Sequence, residues 1–311
     1  MYFKRIFWLN LCIASIKKHT VIIGAGITGL STAHFLSKKN NDFILLEKNK
    51  NAGGNIQSQN EDNFIIENGP NTVLLNNDSV ISLIKDCGLW DSVSQPLNTA
   101  ENNRYVLMND KLQLLPRNPL EFFKTPLLNW KQKLRLFKEP FIPKHKENTS
   151  VANFIDKRFG EAVLHQFVEP FVTGIYSGNP NKMSAKHTLK MVWDAEQEYG
   201  SVIKGLMKKE RKSKAKMFNF PKGLSQLTNT IANSLCDHIQ YECHINAISK
   251  IEGGYEIQTD TNTYVCQKII STLPAYALAQ YIKDTNLKLK LEAIDYVPVD
   301  VFHFGFDKKD V

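Results

Sequence analysis

Three glycines raise the first chemical question. In 21-VIIGAGITGL-30 they stand at Gly24, Gly26 and Gly29, the spacing G-x-G-x-x-G. At that spacing the first glycine permits a tight turn. The second lets the backbone approach a pyrophosphate, and the third lets a helix pack closely on a strand. Ala25, Ile27 and Thr28 sit among them at the start of the following helix, whose free N–H groups and positive dipole end suit phosphates. Alone, the spacing is weak, because glycine-rich turns also occur in unrelated α/β folds. Glu47 strengthens it. It ends the second apolar run, 21 residues after Gly26, where a carboxylate accepts hydrogen bonds from ribose hydroxyls. Glycine loop and acid together point to an adenine dinucleotide with a free 2′-hydroxyl. A second glycine pair, Gly53-Gly54, lies just past the acid in 48-KNKNAGGNIQS-58, where a nicotinamide dehydrogenase usually has no need of one.

The remaining reactive residues are less organised. Cys12, Cys87, Cys236, Cys243 and Cys266 form no C-x-x-C pair and are odd in number, so reduced thiols fit better than a disulfide framework. Cys243 and His244 are adjacent, which rarely lets two residues ligate one ion, and no metal is expected. The net charge of +8 suits an anionic partner: nucleic acid, an anionic membrane surface or an acidic small molecule. No zinc-finger spacing and no arginine–aromatic repeat supports nucleic acid. The basic run 208-KKERKSKAK-216 reads as a solvated loop, with contact to anionic head groups as the alternative.

These residues need elements to hold them. A chain of 311 residues, 42% hydrophobic and 23% charged, has material for one or two domains, or two interleaved ones. His19 to Ile23 predicts a buried parallel strand, Leu30, Ala33 and Leu36 a helix, and Phe43 to Leu46 a second strand, which together make a βαβ unit. Phe64 to Ile66 predicts a further strand ahead of the turn Asn68-Gly69-Pro70-Asn71, and Ser79 to Lys85 a helix. Over 101–216 the character changes to prolines and aromatic-rich helical pieces such as 120-LEFFKTPLLNWKQKLRLFKEPFI-142. From 217 the α/β pattern returns, with a helix over Leu224 to Cys236 and strands over 239–274, where Cys243 and His244 read as strand residues. The fold class is therefore α/β: a Rossmann-like FAD/NAD(P)-binding domain interrupted by a mostly helical domain. The expected boundaries are an extension (1–18), the first part of the nucleotide domain (19–100), the insertion (101–216), the second part (217–275) and the start of another segment (276–311). Ile6 to Ile16, flanked by basic pairs, reads either as a peripheral anchor or as residues from an upstream start. It is too short to span a bilayer. Residues 297-VPVDVFHFGF-306 alternate like a strand and end without a partner, so the sequence reads as incomplete.

Several longer stretches carry a family resemblance. The Gly53-Gly54 loop resembles the second phosphate-contacting loop of amine-oxidase-type flavoproteins, although Asn51-Ala52 stand where that pattern often has an arginine. The turn 67-ENGPN-71 resembles the segment that runs beside their flavin ring. The segments 168-VEPFVTGIYSGNP-180 and 183-MSAKHTLKMVWDAEQEYGSVIKG-205 closely resemble protoporphyrinogen oxidases and the oxygen-dependent coproporphyrinogen oxidases. So do 103-NRYVLMNDKLQLLP-116, 218-FNFPKGLSQLTNTIANSL-235 and 269-IISTLPAYALAQYI-282. The resemblance runs from about His19 to Val311. It implies FAD as the cofactor, held by Gly24, Ala25, Gly26, Ile27, Thr28, Gly29, Glu47, Lys48, Gly53 and Gly54. It extends that site to Asn68, Gly69, Pro70, Asn71, Ile245, Thr272, Leu273 and Pro274. The insertion is then the substrate and membrane-contact domain, and 276–311 are the truncated start of a second substrate-domain segment.

The resemblance further implies that Arg104 pairs with a substrate propionate, as its planar fork can, and that Gly174 lies beside the macrocycle. On the residues alone, Arg104 reads as a surface arginine on a strand, Gly174 as a turn or helix-end glycine, and Phe171 and Tyr176 as core. A meso C–H would pass a hydride to flavin N5, an N–H proton would leave, and oxygen would reoxidise the flavin to give peroxide, three times per porphyrin. No side chain, His165, His187 and His244 included, is assigned as general base. The implied partners are a porphyrinogen, oxygen, a peripheral membrane contact and a homodimer, without nucleic acid, at the cytoplasmic face. The alternatives are a carotenoid-desaturase-type flavoprotein or an inactive remnant, since the family places further FAD and substrate contacts well beyond Val311.

Overall fold

In the computed structural model, β1 (Ala14–Ile23) turns through the glycine loop into α1 (Ile27–Ser37) and β2 (Phe43–Leu46). Next come β3 (Ser58–Glu61), β4 (Phe64–Glu67), β5 (Val73–Leu75) and α2 (Asp78–Asp86). The hairpin β6 (Tyr105–Met108) and β7 (Lys111–Leu114) leads into α3 (Pro119–Lys124), α4 (Trp130–Arg135), α5 (Val151–Phe159), α6 (Glu161–Val163), α7 (Glu169–Tyr176), α8 (Ala185–Thr188), α9 (Lys190–Tyr199) and α10 (Val202–Lys208). The chain then returns through β8 (Lys216–Phe218), α11 (Ser225–Ser234), β9 (Ile239–Gln240), β10 (Ile245–Ile251), β11 (Gly254–Thr259) and β12 (Asn262–Ser271), followed by α12 (Ala275–Ala279) and α13 (Thr285–Glu292). The structure describes residues 14–75, 77–96, 103–108, 110–116, 119–208, 216–307 and 309. The basic run from 209 and the stretch 1–13 therefore lie outside the described residues.

The chain divides into two units. One comprises Met1–Gln95, Ala215–Tyr296 and Asp300–Val311, and the other Pro96–Lys214 with Val297–Val299. In the first, six strands form one sheet in the order β10-β11-β12-β1-β2-β9. The core of that sheet is parallel: β1 lies between β12 and β2, and β2 pairs with β9. Side chains of β1 alternate between two cores, as period 2 requires. Ile22 joins Leu30, Ala33, Phe43 and Ile231 on the face covered by α1 and α11, whereas Val21 and Ile23 join Leu46, Ile257 and Tyr264.

Two expectations change here. β1 begins at Ala14, not His19, and pairs with β12 from Ala14↔Asn262 to Ile23↔Ser271. Residues 14–18 thus belong to the sheet. Ser15 and Lys17 are exposed, and nothing local shows that β12 pairs with this stretch. Conversely, residues 297–306 form no strand. Val297, Val299, Val301, Phe302, Phe304 and Phe306 are all exposed. Alternation marks a segment that suits a sheet, but a ladder also needs an adjacent edge. A smaller difference is that Cys243 and His244 lie in the loop before β10 rather than in a strand.

The second unit is helical apart from its hairpin. Ser150 caps α5 through Asn153 N–H, and Asn129 with Gln132 forms a reciprocal capping box on α4. Val151, Phe154, Ile155, Leu164, Val172 and Trp193 make its core. Beside that core lies a buried charged cluster. Arg158, fully buried, donates from Nε to Glu196 at 2.6 Å and from Nη1 to Glu139 at 3.0 Å. Glu139 also accepts from Val202 N–H at 2.8 Å, and His145 Nδ1 lies 2.8 Å from Glu196. Burial raises the affinity of Glu196 for a proton. Its bonds to His145 and Arg158 outweigh that and leave its pKa below the ordinary value.

Charge is divided unevenly between the units. Residues 96–214 hold 21 Lys and Arg against 12 Asp and Glu, a net of +9, whereas the rest of the chain sits at −1. The cationic unit also exposes aromatic residues among its lysines. Trp130, Phe137 and Phe141 are 68%, 61% and 85% exposed.

Candidate cofactor-binding site

The site is built on the carboxyl ends of β1 and β2. Gly24 N–H donates to the Leu46 carbonyl at 2.8 Å, and Gly24 takes a left-handed φ of +97°, which only glycine adopts without strain. A Cβ on Gly29 would lie 1.9 Å from the Gly24 carbonyl oxygen, so the helix seats on the loop through a missing side chain. From the other side, Thr272 Oγ1 lies 2.9 and 3.0 Å from the Ile23 and Gly24 carbonyl oxygens, which share its one proton.

Glu47 is 6% exposed and engages the loop directly. Its Oε2 accepts from Ala25 N–H at 2.7 Å and its Oε1 from Asn49 N–H at 2.9 Å. The acid therefore orders the glycine loop, and lone pairs remain on both oxygens for a ribose. Gly53 N–H donates to the Ala25 carbonyl at 2.8 Å. A Cβ on Gly54 would come within 3.0 Å of Gly26 Cα, so the two glycine loops meet backbone to backbone. The chain continues to the turn at 68–71. Asn68 N–H donates to the Gln57 carbonyl at 2.8 Å, and a Cβ on Gly69 would lie 1.9 Å from the Asn55 carbonyl oxygen.

Most residues assigned to the cofactor thus fall in one contiguous strip: Gly24 to Gly29, Glu47, Gly53, Gly54, Asn68 to Asn71 and Thr272. Leu273 and Ile245 pack on the core beneath it, with Val21 and Leu46. Pro274 is the N-cap residue of α12, and Lys48 is exposed on the loop after Glu47. The residues fit a dinucleotide. No side chain caps α1 and no acid stands in its first turn, which leaves its N–H groups to an anion. A Cβ on Gly26 would meet only Gly54 Cα, 3.9 Å away, so the protein's own packing does not demand glycine there.

The other assigned residues lie in the helical unit. Arg104 is exposed, and its carbonyl accepts from Leu115 N–H at 2.8 Å beside the β6–β7 hairpin. Gly174 is inside α7, not at its end. Ser177 is the left-handed cap of that helix. Nothing lies within 4 Å of a Cβ built on Gly174. Phe171, Ile175 and Tyr176 of the same helix are exposed, so Phe171 and Tyr176 are not core residues. His165 is a surface residue whose pKa is raised by Glu169, 2.7 Å from its Nδ1. A cavity of about 590 Å³ beside the Gly54 loop is lined by Asn49, Asn51, Gln57, Asn229 and Asn233, amides unsuited to an apolar macrocycle. No cluster able to hold a metal ion occurs among the described residues, and none of their helices is long and apolar enough to cross a membrane.

Residues 27–310 match the family described as flavin containing amine oxidoreductase. The chain belongs to that family. Within it, the chain is 29% identical to protoporphyrinogen oxidase 1 of Spinacia oleracea, a chloroplast protein, over 94% of this chain and 57% of that protein. It is 30% identical to coproporphyrinogen III oxidase of Bacillus subtilis, over 95% of this chain and 68% of that one. The chain spans between about half and two thirds of the length of such curated relatives. A crystal structure from Exiguobacterium sp., assigned as a protoporphyrinogen oxidase, superposes with a TM-score of 0.75 at 25% identity, covering 90% of this chain and 64% of that one. A putrescine oxidase at 16% identity and TM-score 0.67, over 89% of this chain and 64% of its own, shares the fold. Membership of this flavin amine oxidoreductase family assigns FAD as the dinucleotide.

Two features of the site were not read from sequence. Glu47 was assigned to ribose, yet both its oxygens also bind loop backbone. Glu67 carries no sequence signal of its own within 67-ENGPN-71, yet it is buried and bonded to three segments.

Proposed function

We propose that this protein oxidises a porphyrinogen, protoporphyrinogen IX or coproporphyrinogen III, to the porphyrin, with FAD as first electron acceptor and oxygen as the last. The observation that carries the reading is similarity over more than nine tenths of the chain to proteins named for these two reactions. The residues give it a physical form. The amides that open α1, from Gly26 to Gly29, hold the pyrophosphate on the loop that Gly24 and Ala25 shape, Glu47 holds the ribose, and the turn 68–71 borders the ring. When bound, FAD supplies a two-electron acceptor for hydride from the macrocycle. Arg104 pairs with a propionate, and Gly174 admits the macrocycle to the surface of α7.

Gly174 and Gly26 support this together. Of the 16 glycines, only these two have neither a left-handed φ nor a neighbour within 3.4 Å of a built Cβ. The protein itself gives no reason for them, and a ligand does. The net +9 of the helical unit suits a substrate with carboxylate tails. Trp130, Phe137 and Phe141 beside Lys131 and Lys138 suit a peripheral contact with anionic lipid, at the cytoplasmic face of a membrane.

The test is porphyrin fluorescence from each porphyrinogen in air, with FAD supplied. Fluorescence with peroxide release supports the reading, and the faster substrate names the class. Retained flavin with no porphyrin from either substrate rejects it, and points to another flavin oxidoreductase such as a desaturase.

A further inference from the structure

Glu67 is a carboxylate buried to 6% exposure with no cation bonded to it among the described residues. Burying a charge is costly unless hydrogen bonds replace water, and three do. Ser58 Oγ donates to Oε2 at 2.6 Å. Leu224 N–H and Asn219 Nδ2 donate to Oε1 at 2.7 and 3.1 Å. The donors come from β3, from the turn before α11 and from the end of β8. A fourth bond leads outward: Asn219 Nδ2 also donates to the Asn71 carbonyl at 2.8 Å. Packing leaves no slack, because a Cβ on Gly223 would lie 2.4 Å from Ser58 Oγ and 3.0 Å from Glu67 Oε1.

The network closes a circuit. The Gly53-Gly54 loop rests on Gly26, Gly69 rests on Asn55, and Asn71 is tied through Asn219 to Glu67, which is tied to Ser58. Ser225 tightens it by accepting from Ser58 N–H at 2.7 Å. The pyrophosphate loop and the turn at 68–71 are therefore two ends of one braced piece. We propose that Glu67 is a positioning residue for the flavin: without touching the cofactor, it fixes the turn 68–71 relative to the two glycine loops and so sets where the ring end lies. The proposal rests on the reading that the turn borders the ring.

Comparing FAD with ADP tests it, since ADP reaches only the glycine-loop end. Both are titrated into the 311-residue protein, and the visible circular dichroism of bound flavin is recorded. Glu67→Ala is expected to weaken FAD about tenfold, or about 1.4 kcal/mol, with ADP unchanged and an altered flavin dichroism. Glu67→Gln keeps one acceptor oxygen for Leu224 N–H and Asn219, and is expected to restore most of the FAD affinity. Asn219→Ala, at a half-buried site, removes the link to Asn71 and one of the three bonds to Glu67 while leaving the carboxylate in place, and should shift the dichroism even if Glu67→Ala does not fold. An equal loss of FAD and ADP in these variants, or unchanged FAD affinity and dichroism, overturns the positioning role while the flavin reading stands. Wild-type protein that binds ADP but shows no added affinity for FAD removes the reading of the turn, and this proposal with it.

Discussion

The two units spend their sequence differently. In the first, function is carried by backbone. Glycines bring three loops to within van der Waals contact, and the buried acids Glu47 and Glu67 bond to N–H groups, hydroxyls and amides rather than to cations. The second buries a charged cluster beside its apolar core and exposes aromatic side chains among its lysines. Arg158 is forked between Glu139 and Glu196, while Trp130, Phe137 and Phe141 face outward. A dinucleotide is recognised by shape and amide dipoles, which leaves the first unit close to neutral. The second unit carries the whole positive excess, which suits the carboxylate-bearing substrate and the anionic surface proposed for it. The difference teaches where each half is fragile: the first at its glycines, the second at its buried ions.

The largest expected effect is in the helical unit. Arg158→Ala leaves Glu139 and Glu196 buried without their cation and should cost about 3–5 kcal/mol, read by urea denaturation. A loss under about 1 kcal/mol would show that the cluster does not hold the unit together. Gly29→Ala comes next. Its methyl would meet the Gly24 carbonyl oxygen, and it should cost about 3 kcal/mol together with the affinity for FAD and ADP. If stability falls and both affinities persist, the loop is structural only.

Smaller effects sharpen the contrast. Glu47→Gln replaces one acceptor oxygen by a donor, strands one of the two loop N–H groups, and should cost about 1–3 kcal/mol with weaker FAD binding by titration. Acid should act on the second unit through Glu196. Its folded pKa is depressed, so its contribution is complete above the ordinary value of 4.5 and is lost as pH falls through the folded value. Thermal melts from pH 6 to 3 in wild type and Glu196→Gln should converge as the acid limb is reached. Parallel curves would remove Glu196 as the cause. The smallest change in stability is expected from Gly174→Ala, which has open space and a helical backbone and should gain up to about 1 kcal/mol while raising the KM for a porphyrinogen.

Much of the first unit was legible because its signals are local. Gly24, Gly26, Gly29 and Glu47 are spaced by the βαβ unit itself, and the glycine pair at 53–54 follows in the same loop. The bracing of Glu67 was not legible, because two of its three partners stand 152 and 157 residues away at Asn219 and Leu224. The Arg158 cluster was hidden for the same reason, with charged residues reading as surface until distant helices enclose them. Ala14 to Lys18 read as the end of the Ile6–Ile16 stretch and its basic flank, because nothing local shows that β12, far along the chain at Asn262–Ser271, pairs with them. Residues 297–306 were overread, because period-2 alternation says nothing about whether an adjacent strand edge exists.

The central claim is that the strip from Gly24 to Asn71 holds FAD. The measurement that reaches it most directly is the visible spectrum of the 311-residue protein after incubation with excess FAD and desalting. A near-stoichiometric flavin band, lost in Gly29→Ala, is the predicted result. A folded wild-type protein that emerges colourless would contradict it.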